Sequence, residues 1–322
     1  MNVTTPHIIA ESMAEFESIY AQQIASTVSL INDINSHFAQ QQGKRLRPML
    51  TLLSAGAASG SVVQNKVSLA VAMELLHNSS LIHDDVVDES DLRRGQSTIN
   101  NRWGNKIAVL CGDFYLSNAV NLLCQHACAE ELRIVSRTAR EMSEGELIQQ
   151  QSSHRRDFGI DTYRNTIYKK TASLISTCCE IGAFTPQDTV PTDTLRNFGT
   201  HFGMAFQMLD DMLDYMPNTN TGKPHGNDIK EFKTTLPLIL YMKQASEDEQ
   251  RLVVELFKEG YVSDTDAQQL IGKVTDSGAL DQAAQAVAQE VCLAHDALKT
   301  LPESPYKEGL LLLTNNLKID KQ

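Results

Sequence analysis

The sequence contains one acidic pattern twice, an Asp-Asp-x-x-Asp triplet set within an apolar stretch. The triplets are Asp84, Asp85 and Asp88, and Asp210, Asp211 and Asp214. Their apolar neighbours recur with helical spacing, which predicts two largely buried helices. Residues four apart lie on one helix face, so each triplet directs two carboxylates toward a common point. Buried carboxylates repel one another unless cations neutralise them, and hard oxygen ligands favour magnesium. The repeat therefore predicts two divalent-cation sites.

Helical periodicity extends over most of the 322 residues, and no alternation of strands with helices is visible. We expect an all-α helical bundle that forms a single domain, residues 1–322. The predicted helical segments are 8–40, 47–59, 64–90, 105–128, 130–152, 161–183, 190–216, 233–245, 247–299 with breaks, and 304–317. Polar or Pro/Gly-rich loops at 91–103, 152–159 and 217–227 interrupt them, and we expect these loops to close over the mouth of a site.

The net charge of −12 argues against a nucleic-acid partner. The six cysteines show no paired C-x-x-C spacing, and the chain starts without a basic and then apolar leader, so a reduced cytoplasm is expected. No stretch is predicted to reach a membrane-spanning length of apolar residues. A hydrophobic substrate or product stays compatible with this composition.

Basic residues are grouped near the aspartates. The groups are Lys44 with Arg47, Arg93 with Arg94, Lys169 with Lys170 beside Thr171, and Lys223 with Lys233. Four cationic loops or helix ends together with two metal sites would neutralise two polyphosphate groups. The pattern predicts a site for polyphosphate groups.

These motifs resemble those of the trans-isoprenyl diphosphate synthases, the polyprenyl synthetase family. The matching segments are Gly-Lys-Arg-Leu-Arg-Pro at 43–48, Glu-Leu-Leu-His-Asn-Ser-Ser-Leu-Ile-His-Asp-Asp at 74–85, Asp-Leu-Arg-Arg-Gly at 91–95, Trp-Gly-Asn-Lys at 103–106, Gly112-Asp113-Phe114, Glu144-Gly145-Glu146, Lys170-Thr171-Ala172, Phe206-Gln207 before the second triplet, and Gly222-Lys223-Pro224-x-Gly226-x-Asp228. They occur in the family's order and extend over most of the chain.

The resemblance implies an isoprenoid synthase-like bundle around a central cavity, a homodimer, and two aspartate helices that face each other near the cavity mouth. It implies three magnesium ions on an allylic diphosphate, with Asp84, Asp88 and Asp210 as metal ligands and Asp85, Asp211 and Asp214 in support. The six aspartates and Lys170 form the expected catalytic set. The allylic diphosphate is expected on Arg93, Lys170, Thr171, Gln207, Lys223 and Lys233, and isopentenyl diphosphate on Lys44, Arg47, His77 and Arg94.

The implied reaction is ionisation of the allylic diphosphate, followed by attack of the isopentenyl double bond on the allylic cation. Preorganised positive charge would stabilise the departing pyrophosphate. No side chain is needed as a nucleophile, and no general base is assigned. Glu144 and Glu146 are expected either to support polar neighbours or to be structural.

Ser79 and Ser80 stand five and four residues before Asp84, where short-chain relatives commonly carry an aromatic ring. Small side chains there predict an open tunnel and a long product, in the hexaprenyl to nonaprenyl range. Such a product would pass to membrane enzymes. The residue at the tunnel floor is not identified from the sequence.

Three alternatives stay open: a shorter-chain synthase such as a farnesyl or geranylgeranyl diphosphate synthase, a non-catalytic partner subunit of a heteromeric synthase, and a terpene cyclase. Gln42 replaces a glycine that is usual in the family. The tail 315–322 lacks the usual Tyr and Arg, which puts a C-terminal lid in doubt.

Overall fold

The computed structural model describes residues 4–40, 43–185, 190–216, 226–258 and 260–317, and the prediction of an all-α fold is confirmed. After a 3₁₀ turn at His7–Ile9, the helices of these residues are α1 (Ala10–Ile24), α2 (Ser29–Ala39), α3 (Leu46–Ser59), α4 (Gln64–Val87), α5 (Ile99–Trp103), α6 (Asn105–His126), α7 (Ala129–Arg155), α8 (Ile160–Ile167), α9 (Ser173–Ala183), α10 (Val190–Leu213), α11 (Asn227–Lys230), α12 (Leu236–Gln244), α13 (Glu247–Lys258), α14 (Asp264–Asp276), α15 (Ala279–Leu298) and α16 (Pro305–Asn315). A π-helical turn, Tyr168–Ala172, joins α8 to α9, and two short strands, β1 (Leu92–Arg93) and β2 (Gln96–Ser97), form an antiparallel hairpin.

The predicted segment 8–40 is two helices, α1 and α2, because a local polar motif interrupts it. Asn32 Nδ2 donates to Ser26 O at 2.7 Å, and Ser26 N donates to Asn32 Oδ1 at 3.1 Å. Side-chain bonds of this kind compete with the helical hydrogen bonds of the backbone. The predicted loop 91–103 is likewise more ordered than expected, since it holds the β1–β2 hairpin and α5.

Helix α9 lies at the centre of the bundle and packs against α3, α4 and α10. Two glycines one turn apart on α10 permit a close approach. A methyl group at Gly199 would lie 2.7 Å from Ser176 Cα, and one at Gly203 would lie 2.6 Å from Ala172 Cα. The helix that ends in the second triplet is therefore fixed against the π-helical turn.

Two apolar clusters hold the described helices together. The larger is centred on α3, α4, α9 and α10, and the smaller gathers residues from α12, α13 and α14. Phe158 and Leu240 pack against both clusters. Helix α16 packs on the distal half of α3, where a methyl group at Gly56 would lie 2.2 Å from Tyr306. The described part of the C-terminus therefore belongs to the core, and residues 318–322 lie outside the described residues.

The sequence prediction that no stretch reaches a membrane-spanning length of apolar residues was wrong. Helix α6 is long and apolar enough to cross a membrane by length and composition. One face of α6 packs on α4, while the opposite face exposes Val109, Leu110, Leu116 and Val120. The helix has this length and composition because apolar residues lie on both of its faces.

Candidate active site

Both acidic triplets lie at the carboxyl ends of helices. Asp84 and Asp85 occupy the last turn of α4 and Asp88 is its C-cap, whereas α10 ends at Leu213, one residue before Asp214. A helix carries partial negative charge at this end, where carboxylates are destabilised. Two clusters of anions at two such ends therefore require cations.

In the first triplet, the middle carboxylate is committed to a protein partner. Asp85 is buried and accepts from Arg93 Nε at 2.9 and 3.1 Å, while Arg93 Nη2 lies 2.8 Å from Asp85 Oδ1. Bidentate contact of this kind fixes the planar guanidinium. Asp85 therefore orients the hairpin arginine.

The hairpin explains why Arg93, Arg94 and Gly95 occur in this order. Arg93 pairs with Gln96, which leaves Arg94 and Gly95 as a two-residue loop with φ values of 52° and 75°. Positive φ at both loop positions is typical of the type I′ turn, in which glycine is favoured. Arg94 adopts this left-handed conformation at a cost in conformational free energy. Such a conformation persists only where the surrounding structure fixes it, so the hairpin tip is held in one geometry.

In the second triplet, neutral side chains hold the middle carboxylate. Tyr163 OH donates to Asp211 Oδ2 at 2.6 Å, and Gln207 Nε2 donates to Asp211 Oδ1 at 2.8 Å. Gln207 in turn accepts from Thr171 Oγ1 at 2.8 Å. Burial raises the pKa of Asp211 to about 6, and these two hydrogen bonds partly oppose the shift.

Asp214 anchors the segment that follows α10. Its carboxylate accepts from the backbone N–H of Asn227 at 3.3 Å and of Asp228 at 2.9 Å, which caps the short helix α11. Lys233 N then donates to Asp228 O at 2.8 Å. This chain of bonds brings Lys233 Nζ to 3.6 Å from Asp88 Oδ2, so one lysine joins the two triplets.

The π-helical turn presents Lys170 and Thr171 to the same region. Gly145 of α7 lies against it, because a methyl group there would lie 2.7 Å from Lys170 N. Lys170 Nζ pairs with Glu146 at 2.5 Å and donates to Gln149 at 3.3 Å. Turns of this kind occur often at functional sites, where the widened backbone redirects side chains.

Three carboxylates are left for cations. The side-chain carboxylates of Asp84 and Asp210 form no hydrogen bond or ion pair with any residue in the described ranges, and Asp88 has the contact with Lys233. Burial raises the pKa of Asp84 to about 7, with Glu146 and Asp88 adding to the shift, and Asp210 is exposed. Carboxylates of this type fit a divalent cation. Within the described residues, no group of three or more His, Cys, Asp or Glu is close enough to hold a metal alone.

A cluster of cations lies beside these carboxylates. Burial lowers the pKa of Lys44, Arg47 and Arg94, and neighbouring arginines lower these values further. Desolvation and the charges of Arg47, Arg93 and Arg94 hold the pKa of His77 well below its usual range, so the imidazole is neutral. The Arg47 Nε atom is buried without a hydrogen-bond partner among the described residues. Mutually repelling cations with an unsatisfied donor form a site for an anion.

The structure places Lys233 beside Asp88, Arg93 beside Asp85, and Gln207 between Thr171 and Asp211. Lys223, Gly222, Pro224 and Gln42 lie outside the described residues. Ser79 donates to Gly112 O at 2.9 Å and faces α6. Ser80 is partly exposed with His77, Leu81 and Asp84, at spacings that form one stripe on an otherwise buried part of α4.

Sequence reasoning assigned no role to Asp228. Burial raises its pKa well above the ordinary value, as do Asp211, Asp214 and Asp210, and Lys233 only partly opposes this. Its occurrence three residues before Glu231 and five before Lys233 carries no helical or metal-ligand pattern. Only its inclusion in a family-like motif could have drawn attention to it.

An all-helical bundle that directs two acidic triplets and a cationic cluster toward one region defines the isoprenoid synthase class of fold. Within this class, the profile of the polyprenyl synthetase family matches residues 28–274. The chain therefore belongs to the polyprenyl synthetase family and is a prenyltransferase.

Individual relatives agree with this assignment. A Rhodobacter capsulatus protein named all-trans-nonaprenyl-diphosphate synthase (geranyl-diphosphate specific) is 37% identical over 314 residues, which cover 97% of this chain and 96% of the relative. An octaprenyl diphosphate synthase from Haemophilus influenzae is 35% identical over 301 residues, 93% of this chain and 91% of the relative. A polyprenyl synthase from Caulobacter crescentus, solved with calcium and isoprenyl diphosphate, is 31% identical, with a TM-score of 0.90 and 98% of each chain covered.

Proposed function

We propose that the protein condenses isopentenyl diphosphate with an allylic diphosphate, farnesyl or geranylgeranyl diphosphate, and repeats this to a trans-polyprenyl diphosphate in the hexaprenyl to nonaprenyl range. One observation carries the proposal. Three carboxylates without strong protein partners, Asp84, Asp88 and Asp210, lie beside cations that repel one another. Two diphosphates with magnesium would balance both sets of charge.

The allylic diphosphate would lie between the triplets, where Lys170, Thr171, Gln207 and Lys233 of the described chain converge. Magnesium, three ions in the proposed complex, would supply positive charge to the departing pyrophosphate. Arg93, oriented by Asp85, and Lys233 would add fixed positive charge to the same group. No described side chain is assigned as the base, and the released pyrophosphate would take the proton.

Isopentenyl diphosphate would occupy the cationic cluster of Lys44, Arg47 and Arg94. Neutral His77 would hydrogen-bond to the diphosphate without adding charge. Because Lys44, Arg47 and Arg94 already supply fixed positive charge, this diphosphate would bind without metal. The two substrates would then differ in their need for magnesium.

A long product is supported by small side chains on α4 in the turn that precedes the first triplet. Ser80 lies on the partly exposed stripe below Asp84, and Ser79 packs against Gly112 of α6. An aromatic ring at either position would fill space beside the growing chain. Ser79→Tyr is expected to shorten the product, and an unchanged chain length by chromatography would count against this account.

We propose that residues 1–322 work as one domain in a cytoplasmic homodimer whose product passes to membrane enzymes. The exposed apolar face of α6 supports a partner of the same kind, because four large apolar side chains on one helix are costly in water. The proposed cytoplasmic location is supported by the cysteines, since all six lie in described residues and none forms a disulfide. A mass of two chains by light scattering, reduced to one by Val120→Glu, is the expected result.

The decisive assay combines purified protein, magnesium, farnesyl diphosphate and labelled isopentenyl diphosphate. Elongation to six or more isoprene units supports the proposal. A product that stops at four units indicates a shorter-chain synthase. No elongation with any allylic primer would refute the catalytic proposal and favour a partner-subunit role.

A further inference from the structure

His37, on the last turn of α2, forms two hydrogen bonds that together define the tautomer of its imidazole ring. The side chain is 6% exposed, and Nε2 lies 2.7 Å from Ser97 O while Nδ1 lies 3.1 Å from Arg102 Nη1. A carbonyl oxygen only accepts, so Nε2 carries the hydrogen, and a guanidinium only donates, so Nδ1 carries the lone pair. The imidazole is the neutral Nε2–H tautomer, and its ring packs edge-on against Trp103 with 5.2 Å between centroids.

Ser97 belongs to the hairpin that carries the two arginines. The hairpin's base is tied to the adjoining chain, since Thr98 Oγ1 donates to Ser90 O at 2.6 Å and Asn100 Nδ2 donates to the same oxygen at 3.1 Å. Its first strand is tied to α4 through Arg93 and Asp85. The second strand, β2, is tied through His37 to α2, a helix sixty residues away in the sequence.

Helix α2 precedes the segment 43–47, which carries Lys44 and Arg47, and residues 41 and 42 between them lie outside the described residues. The tip of the hairpin touches this segment, because a methyl group at Gly43 would lie 3.1 Å from Arg94 Nη1. Two separate parts of the chain thus supply the cations of one anion site. His37 joins the base of the hairpin to α2, the helix that precedes segment 43–47.

We propose that His37 is a positioning residue that sets the spacing between Arg94 and the cations of segment 43–47, and that isopentenyl diphosphate binding depends on this spacing. The inference rests on the proposed function of the cationic cluster. Arg93 is held independently by Asp85. Binding of the allylic diphosphate should therefore not depend on His37.

The test compares His37→Phe with His37→Gln. Phenylalanine keeps the packing on Trp103 and loses both hydrogen bonds, whereas the glutamine amide can donate to Ser97 O and accept from Arg102. We expect His37→Phe to raise the KM for isopentenyl diphosphate about tenfold, because each lost bond weakens the positioning, with kcat and the allylic KM within about twofold. His37→Gln should restore most of the affinity.

His201→Phe is the matched control, since His201 Nδ1 lies 2.8 Å from buried Glu290 and far from the hairpin in the sequence. It should lower the unfolding temperature and leave the KM for isopentenyl diphosphate unchanged. The inference is overturned if His37→Phe leaves that KM unchanged, if both substrates lose affinity equally, or if glutamine is as harmful as phenylalanine. A wild-type protein without turnover refutes the proposed function instead, and calorimetry of isopentenyl diphosphate binding to the same variants then decides the role of His37.

Discussion

The two acidic triplets have one sequence pattern but different surroundings. In the first, a guanidinium holds the middle carboxylate, and Lys170 and Lys233 lie near the two outer carboxylates. In the second, a phenol and an amide hold the middle carboxylate, and the third caps α11. The second triplet also faces buried Asp228, whose charge Lys233 partly offsets, and Asp210 lies near the cations Lys44 and Arg94.

This difference indicates that the two triplets have different roles. At the first triplet, Lys170, Arg93 and Lys233 offset part of the negative charge. The second has an excess of carboxylates and depends more on added cations. A repeated motif therefore does not imply a repeated function, because neighbours decide which oxygens are available.

The largest expected effect comes from removing an uncommitted carboxylate. Asp84→Asn and Asp210→Asn should each lower kcat about 10³-fold, because several kcal/mol of charge stabilisation depend on the metal they would hold. Asp113→Asn on exposed α6 is the control and should retain full activity. Equal activity of Asp210→Asn and wild type would remove the second triplet from catalysis.

A smaller effect should follow from Tyr163→Phe, which removes a hydrogen bond to buried Asp211. We expect roughly tenfold lower activity and a loss of about 1.5–3 kcal/mol in the free energy of unfolding, since the acceptor is a carboxylate. Tyr215→Phe removes a buried bond to Thr235 at 2.8 Å and should cost stability with less loss of activity. If the two variants lose activity equally, the Tyr163 bond has no special role in the site.

The smallest effect is a dependence of stability on pH in metal-free protein. The folded pKa of Asp84, about 7, lies above its ordinary value of 3.8, so the folded state holds a proton between these limits that the unfolded state has lost. Stability from this group is therefore present at low pH and is lost as pH rises toward 7. Asp84→Asn should raise the unfolding temperature more at pH 8 than at pH 5. A rise of equal size at both pH values would show that Asp84 is not raised in pKa by burial.

Much of the fold follows from the sequence, because helical periodicity reports which face of each segment is buried. The aspartates, the arginine pair and Lys170 were also predictable, since charge within apolar stretches is conspicuous. The π-helical turn at Tyr168–Ala172 was not, because it depends on the fit of Gly145 and Gly203 against it. The break at Ser26–Asn32 and the contact of His37 with Ser97 likewise depend on pairings that no local pattern encodes.

The central claim is that carboxylates from both helices hold divalent cations only together with a diphosphate. Calorimetry of magnesium binding, with and without a non-ionisable allylic diphosphate analogue, tests it directly. We expect tight binding only with the analogue, and its loss in Asp84→Asn and Asp210→Asn alike. Equally tight binding without diphosphate, or turnover that survives removal of all divalent metal by a chelator, would contradict the account.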